Sequence, residues 1–296
     1  MNDISQDTTA RFIQHCPVGC TAPLLPTAIR LPEGELLCCA ECGQWLSQAS
    51  RQRYGDSMRE FDTEQGTAPD AASLQRRHAL AAQRIERLAR LAGREPRTLR
   101  LLDVGCSSGA FLEAARTLQV PARGVEPAPA AAAGARAKGL DVVTGTLDQA
   151  AFEPGSFDAV TLFEVIEHLQ DPLSLAHDVF RVLRPGGVWL VGTANAASWT
   201  AALMGARWQY LQIESHGGHV SFFNPGSIAA LAARSGFTVE RIDTRNVRAF
   251  ERGQAPSSVY TLAKLGTELL SPLARAAGRG HDMLAWLRKP GATQAG

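Results

Sequence analysis

The sequence predicts an α/β fold in which a doubly wound, mostly parallel sheet follows a small cysteine-rich module. Two observations support this prediction. Five segments of strand length, several of them strongly apolar, alternate with helix-forming segments between residues 99 and 191, an order typical of parallel sheets that are covered by helices on both faces. Five of the six cysteines lie between residues 16 and 42, and they distinguish the first part of the chain from the rest.

Length and composition set outer limits on the function. With 296 residues, 45% of them hydrophobic, the chain can hold one large domain and a small appendage. The formal net charge of +1 gives no general attraction to nucleic acid or to an anionic membrane. The first residues do not resemble a signal peptide, and no apolar run reaches the roughly 18 residues of a membrane span. We therefore expect a cytoplasmic protein without a stable membrane span and without nucleic acid as its partner.

The first predicted strand leads into a turn that can approach a ligand closely. Residues 99–104 are mostly apolar and suit a strand buried on both faces, and Gly105 and Gly109 follow it. Glycine lets the backbone come nearer to a ligand than a residue with a Cβ atom, and the helix that begins near Ala110 would point its N-terminus at that ligand. The turn lacks the G-x-G-x-x-G pattern of dinucleotide-binding folds, so a different nucleotide is expected.

The later signals follow in the order of a nucleotide-binding α/β domain. A second strand ends at Glu126, where a carboxylate can accept hydrogen bonds from both hydroxyls of a ribose. A third strand and loop cover residues 142–147 and include Thr146. A fourth strand covers residues 156–164, and a helix, a Pro-Gly-Gly turn and a fifth strand fill residues 179–191. This order predicts one continuous sheet with its ligand at the carboxyl ends of the strands.

The turn sequence D-V-G-C-S-S-G and the L-R-P-G-G turn at residues 183–187 resemble motifs of the class I S-adenosylmethionine (SAM) dependent methyltransferases, of the type 11 and type 23 groups. The family motif is D-x-G-x-G-x-G, and Ser107 stands in place of its middle glycine. The resemblance implies a seven-stranded Rossmann-like sheet whose last, antiparallel strand lies at residues 282–287. It also implies SAM as the cofactor, with Asp103 near its amino acid end and Glu126 on its ribose. The expected cofactor-binding residues are Asp103, Gly105, Cys106, Ser107, Gly109, Glu126, Pro127, Thr146, Leu147, Phe163 and Glu164.

The cysteine cluster predicts a structural zinc site. A C-x-x-C-G turn lets two thiolates bind one tetrahedral zinc ion, and a preceding C-x-x-x-C pair can supply the other two ligands. In a reducing compartment such clustering favours metal binding over disulfides. Four thiolates leave no open coordination position, so the ion would stabilise the fold and take no part in catalysis. Cys38 is spare, although Cys38 or His15 could replace one ligand. The expected ligands are Cys16, Cys20, Cys39 and Cys42.

These signals divide the chain into three parts. Residues 1–50 form the zinc-binding, zinc-ribbon-like module, and residues 51–98 form a linker with a leading helix that either covers the cofactor as a lid or packs on the sheet. Residues 99–290 form the methyltransferase domain. An amphipathic helical insertion at about residues 250–278 would pack on the core or present its apolar face to a membrane or a dimer partner.

The loop after the fourth strand, F-E-V-I-E-H-L, faces the expected position of the methyl group, because ligands lie beyond the carboxyl ends of parallel strands. If this loop begins a helix, Glu164, Glu167 and His168 share one face. The segment E-V-I-E-H resembles two metal-using groups: the methyltransferases that form ubiquinone O-methyl ethers and those that cap small RNAs at a ribose 2'-hydroxyl. In these a later histidine completes the site, and His216 and His219 are the candidates here.

Three roles stay open for this group. It could hold a catalytic divalent metal, and the donor set does not distinguish Mg, Mn, Fe and Zn. Without a metal, a histidine would act as the base, because the acceptor must lose its proton as the methyl is transferred. In the third alternative the residues cap a helix or position the substrate. The expected metal ligands are Glu164, Glu167, His168 and His219, and the expected catalytic residues are His168, His219 and Glu167.

The region after the fifth strand, W-Q-Y-L-Q followed by H-V-S-F-F-N-P, resembles methyltransferases that modify sugars, lipids and natural products. The sequence therefore predicts methyl transfer from SAM to a small-molecule acceptor, at an oxygen of a natural-product, sugar or lipid-like substrate. Two alternatives stay open: an RNA methyltransferase whose zinc module holds the RNA, and a SAM-binding scaffold without activity. No oligomeric state is predicted. Five aromatic residues could line the acceptor pocket: Trp199, Trp208, Tyr210, Phe222 and Phe223.

Overall fold

The computed structural model describes residues 7–63, 71–213, 217–248 and 257–291. Its strands are β1 (Leu24–Leu31), β2 (Gly34–Cys39), β3 (Trp45–Leu46), β4 (Leu101–Val104), β5 (Ala122–Glu126), β6 (Val142–Thr144), β7 (Phe157–Phe163), β8 (Leu183–Ala194), β9 (Ser221–Phe222), β10 (Thr238–Arg245) and β11 (Asp282–Arg288). Its α-helices are α1 (Arg51–Thr63), α2 (Ala71–Ala92), α3 (Ala110–Thr117), α4 (Pro129–Ala137), α5 (Pro172–Val182), α6 (Trp199–Met204), α7 (Pro225–Arg234) and α8 (Ser257–Ala276).

Seven strands form the central sheet in the order β10-β11-β8-β7-β4-β5-β6. The five strands from β8 to β6 are parallel, whereas β11 is antiparallel to both of its neighbours, β8 and β10. The predicted doubly wound sheet and its antiparallel last strand are therefore confirmed. The carboxyl ends of β4, β5 and β7 lie at one edge of this sheet, where the predicted ligand-binding loops meet.

Both faces of the sheet are buried, because helices cover each of them. On one face Ile85 and Leu88 of α2 pack with Leu190 and Trp286 of the central strands. On the other face the adjacent Trp189 and its neighbours pack against α5 and α7. Leading helix α2 thus packs on the sheet through fully buried side chains, the second of the two alternatives that the sequence leaves open.

The Arg-Pro-Gly-Gly turn is tied to the start of β7 by a buried carboxylate. Asp158 is fully buried and accepts hydrogen bonds from Arg94, Arg100 and Arg184. Burial alone would raise the pKa of Asp158, but these arginines hold the pKa well below its usual range. The ionised carboxylate in β7 therefore joins β8 to the segment between α2 and β4, at the edge opposite to the ligand-binding loops.

A second, four-stranded sheet has the order β1-β2-β3-β9. Its first three strands come from the cysteine-rich segment, but β9 comes from the region after β8. Trp45 is aligned with Phe222 and Leu46 with Ser221, and the Ser47 amide donates a hydrogen bond to the Val220 carbonyl at 2.9 Å. The N-terminal module and the segment that carries His219 therefore share one sheet. The domain boundaries at residues 50 and 98 stay predictions.

Helix α8 corresponds to the predicted helical insertion. Ala274 is buried, whereas Leu269 and Leu273 are 80% and 62% exposed. Among the described residues, no helix combines the length and the apolar composition that a membrane crossing requires.

Candidate active site

The turn after β4 takes a backbone path that needs glycine at two positions. Gly105 and Gly109 have φ values of +69° and +85°. A Cβ atom would lie 2.4 Å from Val165 Cγ2 at the first position and 2.3 Å from Leu140 Cδ1 at the second. Ser107 also has a positive φ, +49°, which non-glycine residues adopt at a cost. Ser107 therefore adopts a left-handed conformation that glycine would take at little cost.

Glu126 lies behind this turn at the end of β5. Its carboxylate is buried and accepts hydrogen bonds from the amides of Ser107 and Ala128, each at 2.8 Å. The two bonds use different oxygens, and each carboxylate oxygen can accept a second hydrogen bond. The backbone thus fixes Glu126 in place and leaves acceptor capacity for two ligand hydroxyls.

Asp103 is 3% exposed and accepts a hydrogen bond from the Thr161 hydroxyl at 2.6 Å. Burial raises the pKa of Asp103 to about 7, with the charge of Glu126 acting in the same direction and the Thr161 hydrogen bond opposing it. A cationic group bound beside Asp103 would favour the ionised carboxylate.

The other predicted cofactor-binding residues differ in how far their side chains are exposed. The side chains of Cys106 and Leu147 are buried in the core, so only their backbone atoms can face a ligand. Phe163 is half-buried, and its ring centroid lies 5.1 Å from that of Phe111. Pro127 and Thr146 are exposed.

The sequence reasoning missed Asp148, which accepts a hydrogen bond from the Thr146 hydroxyl at 2.6 Å. This hydrogen bond lowers the pKa of Asp148. The loop after β6 therefore presents an exposed carboxylate two residues beyond Thr146.

The loop after β7 contains a tight turn in place of the α-helix that was considered. Glu164 has a φ of +53°, and only Ile166–His168 are helical, in a single 3-10 turn. Such backbone strain in a non-glycine residue is typical of functional sites. The helical spacing of Glu164, Glu167 and His168 therefore does not apply, and contacts with a more distant segment bring their side chains together.

The segment after β8 supplies Tyr210. Its buried hydroxyl lies at the centre of a group of side chains that we call the polar cluster: Glu164, Glu167, His168, Thr193, Tyr210 and His219. The hydroxyl is 3.0 Å from Glu164 Oε2 and is hydrogen-bonded to Glu167 Oε1. Thr193 lies 3.0 Å both from the Tyr210 hydroxyl and from Glu167 Oε2. A phenol has one proton and cannot donate to both carboxylates. Desolvation and the charge of Glu167 raise the pKa of Glu164.

Two histidines complete this cluster. The ring centroids of His168 and His219 are 4.6 Å apart, and His219 Nε2 lies 3.8 Å from Glu167 Oε1. His219 Nδ1 lies 3.1 Å from the Tyr210 carbonyl oxygen; an N–H at Nδ1 would leave the lone pair of Nε2 facing Glu167. His168 Nδ1 is buried and has no hydrogen-bond partner among the described residues. The other candidate histidine, His216, lies outside the described residues.

The aromatic residues after β8 have two roles. Trp208, Phe222 and Phe223 are 1%, 0% and 0% exposed, so core packing accounts for them. Trp199 is 37% exposed, and Tyr210 contacts the carboxylates as described. Of the five residues considered for an acceptor pocket, Tyr210 is the one that reaches the polar cluster.

The four predicted cysteine ligands converge at the edge of the small sheet. The sulfur atoms of Cys16, Cys20, Cys39 and Cys42 all lie within 4.8 Å of one another. Hydrogen bonding from Cys42 lowers the pKa of Cys16 to about 5, whereas burial raises the pKa of Cys20 to about 12. Cys38 lies outside this group.

Helix α7 supports the cysteine cluster. Asn224, which caps α7, donates a hydrogen bond to the Gly43 carbonyl at 2.7 Å, and Arg234 forms an ion pair with Glu41. Three of the four cysteines are buried in the same apolar core as the central sheet. The cluster is thus part of the interface between the N-terminal module and the α/β domain.

Comparisons with known proteins agree with this architecture. A family model described as a methyltransferase domain matches residues 74–242. A ubiquinone biosynthesis O-methyltransferase of Xanthomonas axonopodis pv. citri is 31% identical over 175 residues, which are 56% of this chain and 72% of that protein. The protein of the same name from Thiobacillus denitrificans is 31% identical over 169 residues, 53% of this chain and 70% of that protein.

Solved structures show the same fold. The crystal structure of a SAM-dependent methyltransferase, a possible histamine N-methyltransferase from Thermotoga maritima, has a TM-score of 0.51 and 19% identity, and the match covers 79% of this chain and 99% of that one. A SAM-dependent methyltransferase from Archaeoglobus fulgidus has a TM-score of 0.51 and 17% identity, covering 72% of this chain and 94% of that one.

Proposed function

The chain belongs to the methyltransferase domain family and is a SAM-dependent methyltransferase, and on this premise we propose that it methylates an oxygen of a small-molecule acceptor. The observation that carries the proposal is the contact between the two sites. Val165, between the two glutamates of the cluster, packs so close to Gly105 that a Cβ there would collide with it. The polar cluster therefore lies beside the cofactor turn, where an acceptor would meet the methyl group.

Bound SAM supplies a methyl group on a sulfonium, which an acceptor oxygen can attack once it is aligned and loses its proton. The side chains of the cluster suit that task. Glu167 and the Nε2 atom of His219 can accept a proton, and Tyr210 and Glu164 can redistribute it within the hydrogen-bonded group. The names of the O-methyltransferase relatives support oxygen as the methylated atom.

The cluster also fits a divalent metal. The ligand atoms of Glu167, His168 and His219 lie within 4.8 Å of one another. Two ligands each about 2.1 Å from an ion are at most about 4.2 Å apart, so a small contraction would complete the site. The unpartnered Nδ1 of His168 is a donor atom that such an ion would use, whereas Glu164, the other ligand expected from the sequence, does not belong to this converging group. The ion would stabilise the deprotonated acceptor oxygen.

The experiment combines activity with metal removal. Purified protein is incubated with methyl-labelled SAM and a small catechol, and the products are identified by mass spectrometry. Loss of activity in a chelator and its return with Mg or Mn, at constant zinc content, would support the metal. Activity that is insensitive to chelation would assign proton removal to the side chains of the cluster, Glu167, His168 or His219, without a metal. Absence of any O-methylated product with a panel of phenols and alcohols would contradict the proposal.

We also propose a structural zinc ion at the four cysteines. A Zn–S distance of about 2.3 Å places tetrahedral ligands about 3.8 Å apart, and Cys16 Sγ and Cys42 Sγ are 3.6 Å apart. The spacing of the sulfur atoms thus requires little change to hold the ion. Elemental analysis is expected to find about one zinc per chain, and metal-free, fully folded protein would contradict the proposal.

Replacing Glu126 with alanine is expected to weaken SAM binding by about 10- to 100-fold, the range for hydrogen bonds to a charged group. The variant loses the ribose acceptor and the bond that holds the Ser107 amide. Isothermal titration calorimetry with SAM measures the effect. Glu126→Gln keeps one acceptor oxygen, so an intermediate affinity is expected. Unchanged affinity in both variants would remove Glu126 from the site.

The affinity for SAM is expected to rise with pH up to about 7, by at most about tenfold per unit. Burial raises the pKa of Asp103 to about 7 in the free protein, and a neighbouring ammonium group of the ligand would favour the ionised form. Below that pH, binding must therefore remove a proton. Calorimetry between about pH 5.5 and 7.5 tests this, and Asp103→Asn is expected to flatten the profile. An equally steep profile in the variant would assign the proton to another group.

A further inference from the structure

Helix α2 carries two arginines that face strand β10 in different surroundings. Arg87 has an ordinary partner: its Nη1 atom lies 2.7 Å from Asp243 Oδ2, and its guanidinium lies 4.1 Å from the ring centroid of Trp286. An acid and an aromatic ring thus neutralise and cover this cation.

A second pair of residues carries like charges: Arg84, one turn before Arg87 on α2, and Arg245, two residues after Asp243 on β10. Arg84 shares a helix face with Arg87, and Arg245 shares a strand face with Asp243. The Nε atoms of Arg84 and Arg245 are buried and have no hydrogen-bond partner among the described residues. Burial and the charge of Arg245 lower the pKa of Arg84. Two neighbouring guanidiniums of this kind are unfavourable unless an anion joins them.

This pair lies at the edge of the sheet where the reaction takes place. The Cζ atom of Arg84 is 4.8 Å from the ring centroid of Phe163, the residue before Glu164. Arg245 is aligned with Asp282, which is aligned with Ala194 at the carboxyl end of β8. The two arginines therefore lie near the carboxyl ends of β7 and β8, where the loop that carries Glu164 begins.

Two acids lie near these arginines, and each has another partner. Asp282 accepts a hydrogen bond from Asn246 at 2.9 Å and lies 3.6 Å from Arg248, so a third arginine already uses it. Glu164 is the other acid close enough to affect Arg84, and its Oε2 atom lies 3.0 Å from the Tyr210 hydroxyl. The Nε atoms of Arg84 and Arg245 therefore stay available to an anionic ligand.

We propose that Arg84 and Arg245 bind a carboxylate of the methyl acceptor. The proposal rests on the proposed function in one respect, that the acceptor binds beside Glu164. Guanidinium groups bind carboxylates through paired, charge-assisted hydrogen bonds, and the unused Nε atoms supply such donors. The acceptor is thus a hydroxylated acid, with its carboxylate held by the arginines and its hydroxyl directed to the polar cluster.

The test compares two acceptors of similar shape, one with a carboxylate and one with a neutral amide in its place. Protein loaded with S-adenosylhomocysteine is titrated calorimetrically with 3,4-dihydroxybenzoate and with 3,4-dihydroxybenzamide. The acid is expected to bind at least about tenfold more tightly than the amide. Arg84→Gln and Arg245→Gln are each expected to abolish this preference while the affinity for S-adenosylhomocysteine is unchanged. Arg90→Gln, at an exposed position of the same helix, is the control and keeps the preference.

Three results would each contradict the proposed carboxylate subsite. The first is that the wild-type protein does not bind the acid more tightly than the amide. The others are that both arginine variants lose affinity for the acid and the amide equally, or that Arg90→Gln also abolishes the preference. Turnover is measured separately with both compounds. If the acid binds through the arginines but neither compound is methylated, the anionic subsite stands and the proposed O-methylation of such hydroxyls fails. If only the amide is methylated, the subsite fails and the proposed reaction stands.

Discussion

Replacing Glu167 with glutamine is expected to lower the rate of methyl transfer by about 100-fold or more while SAM affinity is unchanged. Glu167 is fully buried and lies between three partners, the hydroxyls of Thr193 and Tyr210 and the imidazole of His219. Glutamine has nearly the same shape but carries no charge. It can neither accept the acceptor's proton nor bind a divalent metal strongly. Single-turnover assays with labelled SAM measure the loss.

The control is Glu153→Gln, which removes a carboxylate from an exposed position and is expected to leave the rate unchanged. Tyr210→Phe gives a second test of the same cluster. It removes the shared hydroxyl but keeps both carboxylates, so a smaller fall in rate and a shifted pH profile are expected. Parental rates in both Glu167→Gln and His219→Ala would show that alignment of the acceptor alone carries the reaction.

The strands and the cofactor turn could be predicted because their signals are local. Apolar runs predict β4 and β7, and the glycines at positions 105 and 109 mark a backbone path that collisions forbid to other residues. Ser107 shows why the motif tolerates a change: its left-handed φ is costly for serine but is held by the bond from its amide to Glu126. Such short-range restraints are visible in one stretch of sequence.

The polar cluster could be predicted in composition but not in geometry. The sequence indicated Glu164, Glu167 and His168 through helical spacing, but the positive φ of Glu164 removes the helix. Tyr210 meets these residues from more than 40 positions away, on a segment with no regular pattern. Its partners depend on how the chain returns after β8, which periodicity does not reveal.

The pairing of β3 with β9 also has no sequence signal. Each strand is two residues long, too short for alternation to be recognised. The pairing nevertheless connects the two candidate sites, because β9 directly follows His219 and Val220. The Val220 amide donates to the Glu167 carbonyl at 3.1 Å, and the Val220 carbonyl accepts from Ser47 at 2.9 Å. The position of His219 thus depends on the N-terminal module.

This dependence gives the second large effect. The double variant Cys39→Ser, Cys42→Ser is expected to lose its zinc and to lower methyl transfer by about 100-fold, because small misplacements of a reacting group have effects of this size. SAM affinity is expected to change little, because Gly105 and Glu126 lie on the other side of the cluster. Zinc content, thermal unfolding, calorimetry with SAM and turnover are measured on the same preparation.

Cys38→Ser is the matched control, because Cys38 adjoins Cys39 but lies outside the sulfur cluster. It is expected to retain zinc, stability and activity. If the double variant retains full activity without zinc, the module has no part in positioning His219. If it loses SAM binding together with activity, the damage extends to the whole α/β domain. A loss of turnover with intact SAM binding would show that the cysteine cluster acts through the strand pair that holds the histidine.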